Sequence, residues 1–235
     1  HCLLRRQRQM CIRDSLNSMK FVLRKVHSYL SLFISIQLLL WTVSGIYFAF
    51  NKIEDVRGEQ YRESPKNSVN FQDINFEIAD AENISFISRG DLDLLIIQDA
   101  SGRKYLDYEG NDVEKITYAD AQNIVTKKTN LEPLEVNEIT EGKKGSEFRG
   151  RDLPIYQIKA VNDKNEEINV YINPYSGEVA AIRSAQWRIW DLMWGFHIMD
   201  WEERDNIDNI FLQLFSILAL VSAITGIVLF FKRKA

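Results

Sequence analysis

Two runs, Tyr29–Phe50 and Ile210–Phe231, contain no charged residue, and between them the apolar positions alternate only in short stretches broken by turn residues. Each run is about 22 residues, roughly 33 Å as a helix, enough to cross the hydrocarbon core of a bilayer. The first run is too long for a signal-peptide core, and Ser44-Gly45-Ile46-Tyr47-Phe48 lacks a small-x-small cleavage site, so it reads as an anchor. On the first run His27, Ser31, Ser35, Leu38, Thr42, Gly45 and Ala49 recur at three- or four-residue steps; on the second Gln213, Ser216, Ala219, Ala223 and Gly226 do the same. Small residues let helix backbones approach, so Ser31, Ser35, Gly45, Ala219, Ala223 and Gly226 are the expected packing positions, either within one helix pair or in a four-helix dimer. Gln37, at the middle of its run, should find an interhelical hydrogen bond.

The region between the runs predicts two hairpins. Leu94–Gln98 and Lys104–Asp107 flank the turn Asp99-Ala100-Ser101-Gly102; Ile155–Ala160 and Glu167–Ile172 flank Asn162-Asp163-Lys164-Asn165. The second closes on Pro174-Tyr175-Ser176-Gly177, with Pro and Gly near their preferred turn positions. The two hairpins form a weak internal repeat. Thr117–Val125 predicts a short helix, with Thr117 as N-cap, Asp120 as the capping-box acid, and Tyr118, Ala121, Ile124 and Val125 on one face. A helix laid on an antiparallel sheet buries these apolar faces most simply. Glu141–Arg151, rich in Gly, Lys, Ser and Arg, predicts a flexible loop.

Charge orients the runs. The chain of 235 residues carries 29 Lys+Arg and 33 Asp+Glu. Met10-Cys11-Ile12-Arg13-Asp14-Ser15 reads like one translated frame of the transposon mosaic end used in sequencing libraries, so residues 1–18 are set aside as an adapter artefact. Removing Arg5, Arg6, Arg8, Arg13 and Asp14 leaves 25 basic and 32 acidic residues, net −7, with no cysteine and only His27 and His197 as histidines. Disulfides, thiolate chemistry and multi-histidine metal sites within one chain then have no residues to use. Lys20, Arg24 and Lys25 before the first run, and Lys232, Arg233 and Lys234 after the second, should stay cytoplasmic. Residues 51–209 then lie outside, holding 19 basic and all 32 acidic residues, net −13, and should repel nucleic acid.

The unit ending in Asn169-Val170-Tyr171-Ile172-Asn173-Pro174-Tyr175-Ser176-Gly177-Glu178-Val179 resembles a PepSY domain. The flanks are similar to PepSY-associated transmembrane proteins: a His near the first span, Trp-x-x-Ser-Gly (Trp41–Gly45), Val56-Arg57-Gly58-Glu59, and Gly195-Phe196-His197-Ile198-Met199-Asp200 before the last span. The resemblance covers nearly everything after Met19. It implies a fold of membrane α plus extracytoplasmic α+β: two transmembrane helices flanking a PepSY-like helix-on-antiparallel-sheet domain, with a preceding degenerate hairpin repeat and an interfacial Trp-rich helix. The expected segments are 19–28 (cytoplasmic N-terminus), 29–50 (first span), 51–114 (degenerate hairpin region), 115–183 (PepSY-like domain), 184–209 (interfacial helix and acidic turn), 210–231 (second span) and 232–235 (cytoplasmic tail), in a bacterial inner membrane.

Trp187, Trp190, Trp194, His197 and Trp201 fall at steps of three and four, one stripe of a helix. Tryptophans at headgroup depth suit an interfacial helix, with Gln186, Arg188 and Asp191 facing water. The competing reading is haem b ligation by His27 and His197. Some larger PepSY-associated proteins are similar to haem-containing reductases of ferric siderophores, and imidazole is an ordinary axial ligand. The two histidines sit roughly 30 Å apart across the membrane, so shared iron would require a homodimer, or a second ligand such as Met193 or Met199. Two spans rather than the reductases' larger number argue against a complete reductase. The acidic turn Asp200, Glu202, Glu203, Asp205, Asp208 lacks the spacing of a calcium loop and reads as solvated. No phosphate loop, nucleophile elbow or HExxH is present. The expectation is a non-catalytic module that binds or restrains an unidentified protein partner outside the membrane. The alternative is a haem-bearing electron-transfer component of iron or siderophore handling.

Overall fold

The computed structural model describes residues 2–63, 80–90 and 92–234, with side chains for Phe21, 24–63, 80–90 and 92–231. The side chains of residues 1–18, of Lys20 and of Lys232–Lys234, and residues 64–79 of the first hairpin region, lie outside that description. The chain divides into two units, one formed by residues 1–50 and 192–235, the other by residues 51–191.

The first unit contains helix α1, Cys2–Phe50, and helix α5, Ile210–Lys234. Both are long and apolar enough to cross a membrane, over Arg24–Phe50 and Ile210–Phe231. They pair antiparallel: Phe33 stacks on Phe215 at 5.3 Å, and His27 bonds Thr225 at 2.8 Å. The first turn of α5 is therefore level with about residues 38–42 of α1, by the same rise per residue.

The second unit starts with the one-turn helix α2, Ile53–Val56, and a 3-10 turn, Glu59–Tyr61. Gly58 between them has φ +82, and a Cβ there would lie 2.8 Å from Ile182 Cβ and Cγ2. Only glycine fits. Two antiparallel sheets follow. Strands β1 (Asn83–Arg89), β2 (Leu92–Asp99) and β3 (Gly102–Leu106) form one, in the order β1-β2-β3. Strands β4 (Glu132–Ile139), β5 (Ile155–Val161), β6 (Glu167–Ile172) and β7 (Val179–Arg183) form the other, also a meander. The predicted hairpins are β2–β3 and β5–β6; β1, β4 and β7 are additional strands.

Helix α3, Tyr118–Lys128, lies against the second sheet. Its start is set by a reciprocal capping box: Asp120 N–H donates to Thr117 Oγ1 at 3.2 Å and Thr117 N–H to Asp120 Oδ2 at 3.3 Å. Lys127 and Lys128 in the last turn complement the helix dipole. Ala121 and Val125 bury against Tyr156, Ile158 and Ala160 of β5 and Ile168, Val170 and Ile172 of β6, the alternate residues of each strand. The opposite face carries Ile155, Tyr171 and Ala181, covered by Ile139 and Phe148.

Helix α4, Ala185–Ile198, crosses the boundary between the units. It ends before Trp201, so the expected helical stripe stops at His197. Met199 takes φ 57, and that left-handed residue turns the chain away. Asp191, expected to face water, is instead buried and ion-paired with Arg149.

Candidate functional site

The last turn of a helix leaves four carbonyls without helical partners. At the end of α4 each of them has a specific donor. Gly195 O accepts from the Asp200 backbone at 3.0 Å, a Schellman closure through Met199. Phe196 O accepts from Gln37 Nε2 at 3.2 Å, His197 O from Trp41 Nε1 at 2.7 Å, and Ile198 O from Asn209 Nδ2 at 2.9 Å. Gln37, Trp41, Ser44 and Phe48 follow steps of four, three and four, so α1 presents them along one face. Gln37 is buried, and the bond expected of it is to a helix-end carbonyl.

Ser44 completes the contact. Its Oγ lies 2.8 Å from His197 Nδ1 and donates to the backbone, 2.7 Å from Leu40 O. One hydroxyl proton committed to Leu40 O leaves Ser44 accepting from His197 Nδ1–H. The imidazole is stacked on Trp194 (centroids 6.2 Å, planes 9° apart) and meets Phe48 edge-on at 5.6 Å. Burial pushes its pKa below the ordinary histidine value, favouring the neutral ring. Ser44 has no exposed surface, so the Ser–His pair is a latch and not a nucleophile and base. The Trp-x-x-Ser segment and the His197 segment, with Ser44 and His197 153 residues apart in sequence, are thus one structural device.

His27 lies elsewhere in the helix pair. Its Nδ1 is 2.8 Å from Thr225 Oγ1, its Nε2 is 3.4 Å from Ser31 Oγ, and Ser31 Oγ is 2.9 Å from Ser222 Oγ. Gly226 faces the ring: a Cβ there would stand 3.3 Å from His27 Cε1. Of the expected packing positions, Ser31, Ala219 and Gly226 are partly buried; Ser35 and Ala223 are exposed, and nothing lies within 4 Å of a Cβ at Gly45. The facing positions of α5 also include Ser222 and Thr225, hydroxyl residues that a search for glycine and alanine passes over. His27 contacts α5 and His197 contacts Ser44, 17 residues further along α1 and about 26 Å away at 1.5 Å per residue. They are not brought together. Around the nitrogens that would have to meet an iron, His27 Nε2 faces Ser31 Oγ with the ring packed on Gly226, and the His197 ring is covered by Trp194 and Phe48.

The second unit holds a network centred on Glu147, in the segment expected to be a flexible loop. The Glu147 carboxylate accepts from Asn169 Nδ2 at 2.7 Å, Tyr171 OH at 3.0 Å and Arg188 Nε at 2.6 Å, and its backbone carbonyl accepts from Arg183 Nε at 3.0 Å. Burial, then the charge of Glu147, pushes the Tyr171 phenol well above its ordinary value. Burial and neighbouring Arg151 bring Arg183 down to about 10. Trp187 is 8% exposed beneath the guanidiniums of Arg183 (4.4 Å) and Arg149 (5.5 Å), a cation–π arrangement. Trp190 and Trp194 are partly buried and Trp201 is exposed, 6.3 Å from Phe211. No motif in the sequence marks Glu147.

Grooves open among the described residues of this unit. One, about 900 Å³, runs beside α3 and is lined by Arg89, Leu92, Asp120, Ile124, Lys127 and Lys128 among others. Another, about 580 Å³, lies by the stacked pair Tyr105–Tyr175 and the Arg103–Asp152 ion pair. Asp200 spends its carboxylate on the backbone N–H groups of Glu202, Glu203, Asp205 and Asn206. Among the described residues no group of three or more His, Cys, Asp or Glu is placed to hold a metal ion.

No curated protein and no solved structure matches the chain. The family described as PepSY-associated TM region matches residues 24–235, which contain both apolar helices, the latch and the two sheets, and the chain belongs to that family.

Proposed function

We propose that the protein is an integral inner-membrane protein, with both ends cytoplasmic, that presents residues 51–191 as a non-catalytic extracytoplasmic PepSY-type module for binding or restraining a protein partner. Family membership and the two apolar helices support membrane attachment. The cationic flanks, Lys20, Arg24 and Lys25 at one end and Lys232, Arg233 and Lys234 at the other, support the orientation. The helix-on-meander unit of α3 and β4–β7 supports the PepSY-type reading.

The observation that carries a binding role is the groove beside α3. Leu92 and Ile124 give it apolar wall and Lys127 lies along it, while Arg89, which donates to Glu114 O and Tyr175 O, Lys128, which donates to Gly177 O, and Asp120, which caps α3, shape its rim. Elsewhere in the unit the paired charges, such as Glu147–Arg188 and Arg149–Asp191, are used in holding the fold. A photoreactive residue at Asn123 or Lys127, in the groove, should give adducts in intact cells that Ile124→Arg abolishes. The same residue at Lys164, in the β5–β6 turn, should give none of them. Identical adducts from both places would remove the binding role. A reporter fused after Ala235 that is active outside the cell would reverse the topology.

A further inference from the structure

We propose that the face of the second sheet turned away from α3 carries an anion site, built on the guanidiniums of Arg183 and Arg151, that takes a dianionic phosphate group. It lies within the second unit and is separate from the groove beside α3. Arg183 of β7 is the register partner of Asn169 on β6 and shares the face of Tyr171 and Ala181. Glu147 of the 141–151 loop bonds Asn169 and Tyr171, so the loop lies over this same face.

Charge accounting singles out the two arginines. The guanidiniums of Arg183 and Arg149 lie over one Trp187 ring, 4.4 and 5.5 Å from its centroid, Arg188 reaches Glu147, and the charge of Arg151 acts on Arg183. Of the carboxylates, Glu147 is paired with Arg188, Asp191 with Arg149, and Asp152, the residue after Arg151, with Arg103. Among the described residues Arg183 and Arg151 have no carboxylate partner. Two positive charges are thus uncompensated in a segment, residues 51–209, whose net charge is −13. Burial, and then the charge of Arg151, lowers the pKa of Arg183, as expected of a cation held near another with no anion of its own.

The donors are set in place before any ligand arrives. Arg183 Nε donates to Glu147 O at 3.0 Å and Nη1 to Ile182 O at 3.2 Å, while Nη2 has no acceptor among the described residues and is not sealed from solvent. Trp187 beneath it fixes the plane of the guanidinium. Arg151 is exposed and free to close on the same anion. Ser146, whose carbonyl accepts from Arg149 Nη1 at 3.2 Å, has a buried hydroxyl with no hydrogen-bond partner, a further unspent donor in the loop. Planar guanidiniums match phosphate oxygens with paired N–H groups. A phosphate monoester carries about −1.5 to −2 charges at pH 7, which balances the two free cations. A polyanion would meet the acidic remainder of the segment, so a small, compact dianion is the ligand that fits.

Free phosphate and the phosphomonoester headgroup of phosphatidic acid present this chemistry alike, and two titrations of the full chain distinguish them. In one, the protein in phosphatidylcholine nanodiscs is titrated calorimetrically with sodium phosphate, sodium chloride holding the ionic strength constant. In the other, the nanodiscs contain phosphatidic acid and the headgroup is followed by phosphorus-31 NMR. Saturable binding is expected in at least one arm, and the arm that responds names the source. Arg151→Gln, a change at an exposed side chain, should weaken that binding about fivefold or more with no change in the melting temperature of the unliganded protein. Arg183→Lys, which keeps the charge and loses the fork, should weaken it similarly. Lys104→Gln, on the first sheet, removes the same net charge and should leave the affinity unchanged. No saturation by about 10 mM phosphate together with no response of the headgroup would overturn the site. So would an unaltered affinity in Arg151→Gln, or an equal loss in Lys104→Gln, which would reduce the effect to net charge.

Discussion

Replacing Trp41 by phenylalanine removes one N–H from the latch and leaves His197 O, a carbonyl at the end of α4, without its donor. The cost can be bounded from two directions. Leaving a buried polar group unsatisfied costs about 1–3 kcal/mol, whereas interhelical hydrogen bonds in a membrane protein average about 0.6 kcal/mol with a maximum near 1.7. The Trp41 bond is short, at 2.7 Å, and Met199 and Asp200 turn the chain away behind it, so no later turn of helix can supply a replacement. We expect about 1–1.5 kcal/mol for Trp41→Phe, close to a tenfold change in the unfolding equilibrium. Gln37→Leu, which frees Phe196 O over a longer 3.2 Å bond, should cost less, about 0.5–1 kcal/mol. Phenylalanine is also smaller than tryptophan, so benzothienylalanine at residue 41, with the same bicyclic outline and no N–H, isolates the bond. Stability would be read by denaturant titration in mixed micelles, and the site of loosening by hydrogen exchange of the segment 192–201. Benzothienylalanine within about 0.3 kcal/mol of the parent chain, or destabilisation with no faster exchange in that segment, would show that the latch is packing alone.

Gly58→Ala should destabilise the second unit by more than about 2 kcal/mol, since a left-handed alanine costs about 1–2 kcal/mol and its Cβ would stand 2.8 Å from the buried Ile182; thermal melting of the full chain checks it. Glu147→Ala strips an acceptor from Asn169, Tyr171 and Arg188 and should cost about 2–4 kcal/mol, with Glu147→Gln costing less, measured the same way. Side-chain and then backbone hydrogen bonds from Thr117 hold the Asp120 carboxyl below its ordinary value, so its contribution is present above the unfolded carboxylate range and is lost as pH falls through the lowered folded value. Exchange protection of α3 should therefore fall on acidification, and Asp120→Asn should flatten that dependence; an unchanged pH response in the variant refutes the assignment. In the proposed topology a cysteine replacing Ala49 should react with an impermeant reagent from outside while one replacing Ile36 should not, and equal reactivity would refute the helix register.

The elements that carried a strong period or punctuation were legible in the sequence. Both apolar helices, the capping box at Thr117 and the two central hairpins follow directly from charge-free length, Thr-x-x-Asp spacing and alternation around Gly and Asn turns. Strands β1 and β4 were not, because Asn83–Arg89 and Glu132–Ile139 mix polar residues and a proline among their apolar ones and pair with richer neighbours, and β7, Val179–Arg183, is too short to show a period. The Glu147 network was hidden for a related reason. A glutamate between glycines, lysines and serine has the composition of a solvated loop, and only the fold brings Asn169, Tyr171 and Arg188 to it. His197 and Trp41 were noticeable as a rare residue and a motif, yet their contact is between a side chain and a backbone carbonyl, which no residue pattern encodes.

The two apolar runs are equal in length but not level with each other, and this offset accounts for the latch. Phe33 meets Phe215 and His27 meets Thr225, so the start of α5 reaches only about residues 38–42 of α1. The following stretch of α1, with Ser44 and Phe48, has no α5 beside it. In the proposed topology that stretch emerges from the hydrocarbon, where a helix flank made only of leucine would be exposed to water and headgroups. The end of α4 covers it with the Trp194 and His197 rings, and the polar groups Gln37, Trp41 and Ser44 are set where α4 has carbonyls and an imidazole to offer. A run of apolar residues from Tyr29 to Phe50 thus divides into a part suited to lipid and a part suited to a neighbouring helix, and the residues that distinguish the two are the few with hydrogen-bonding groups.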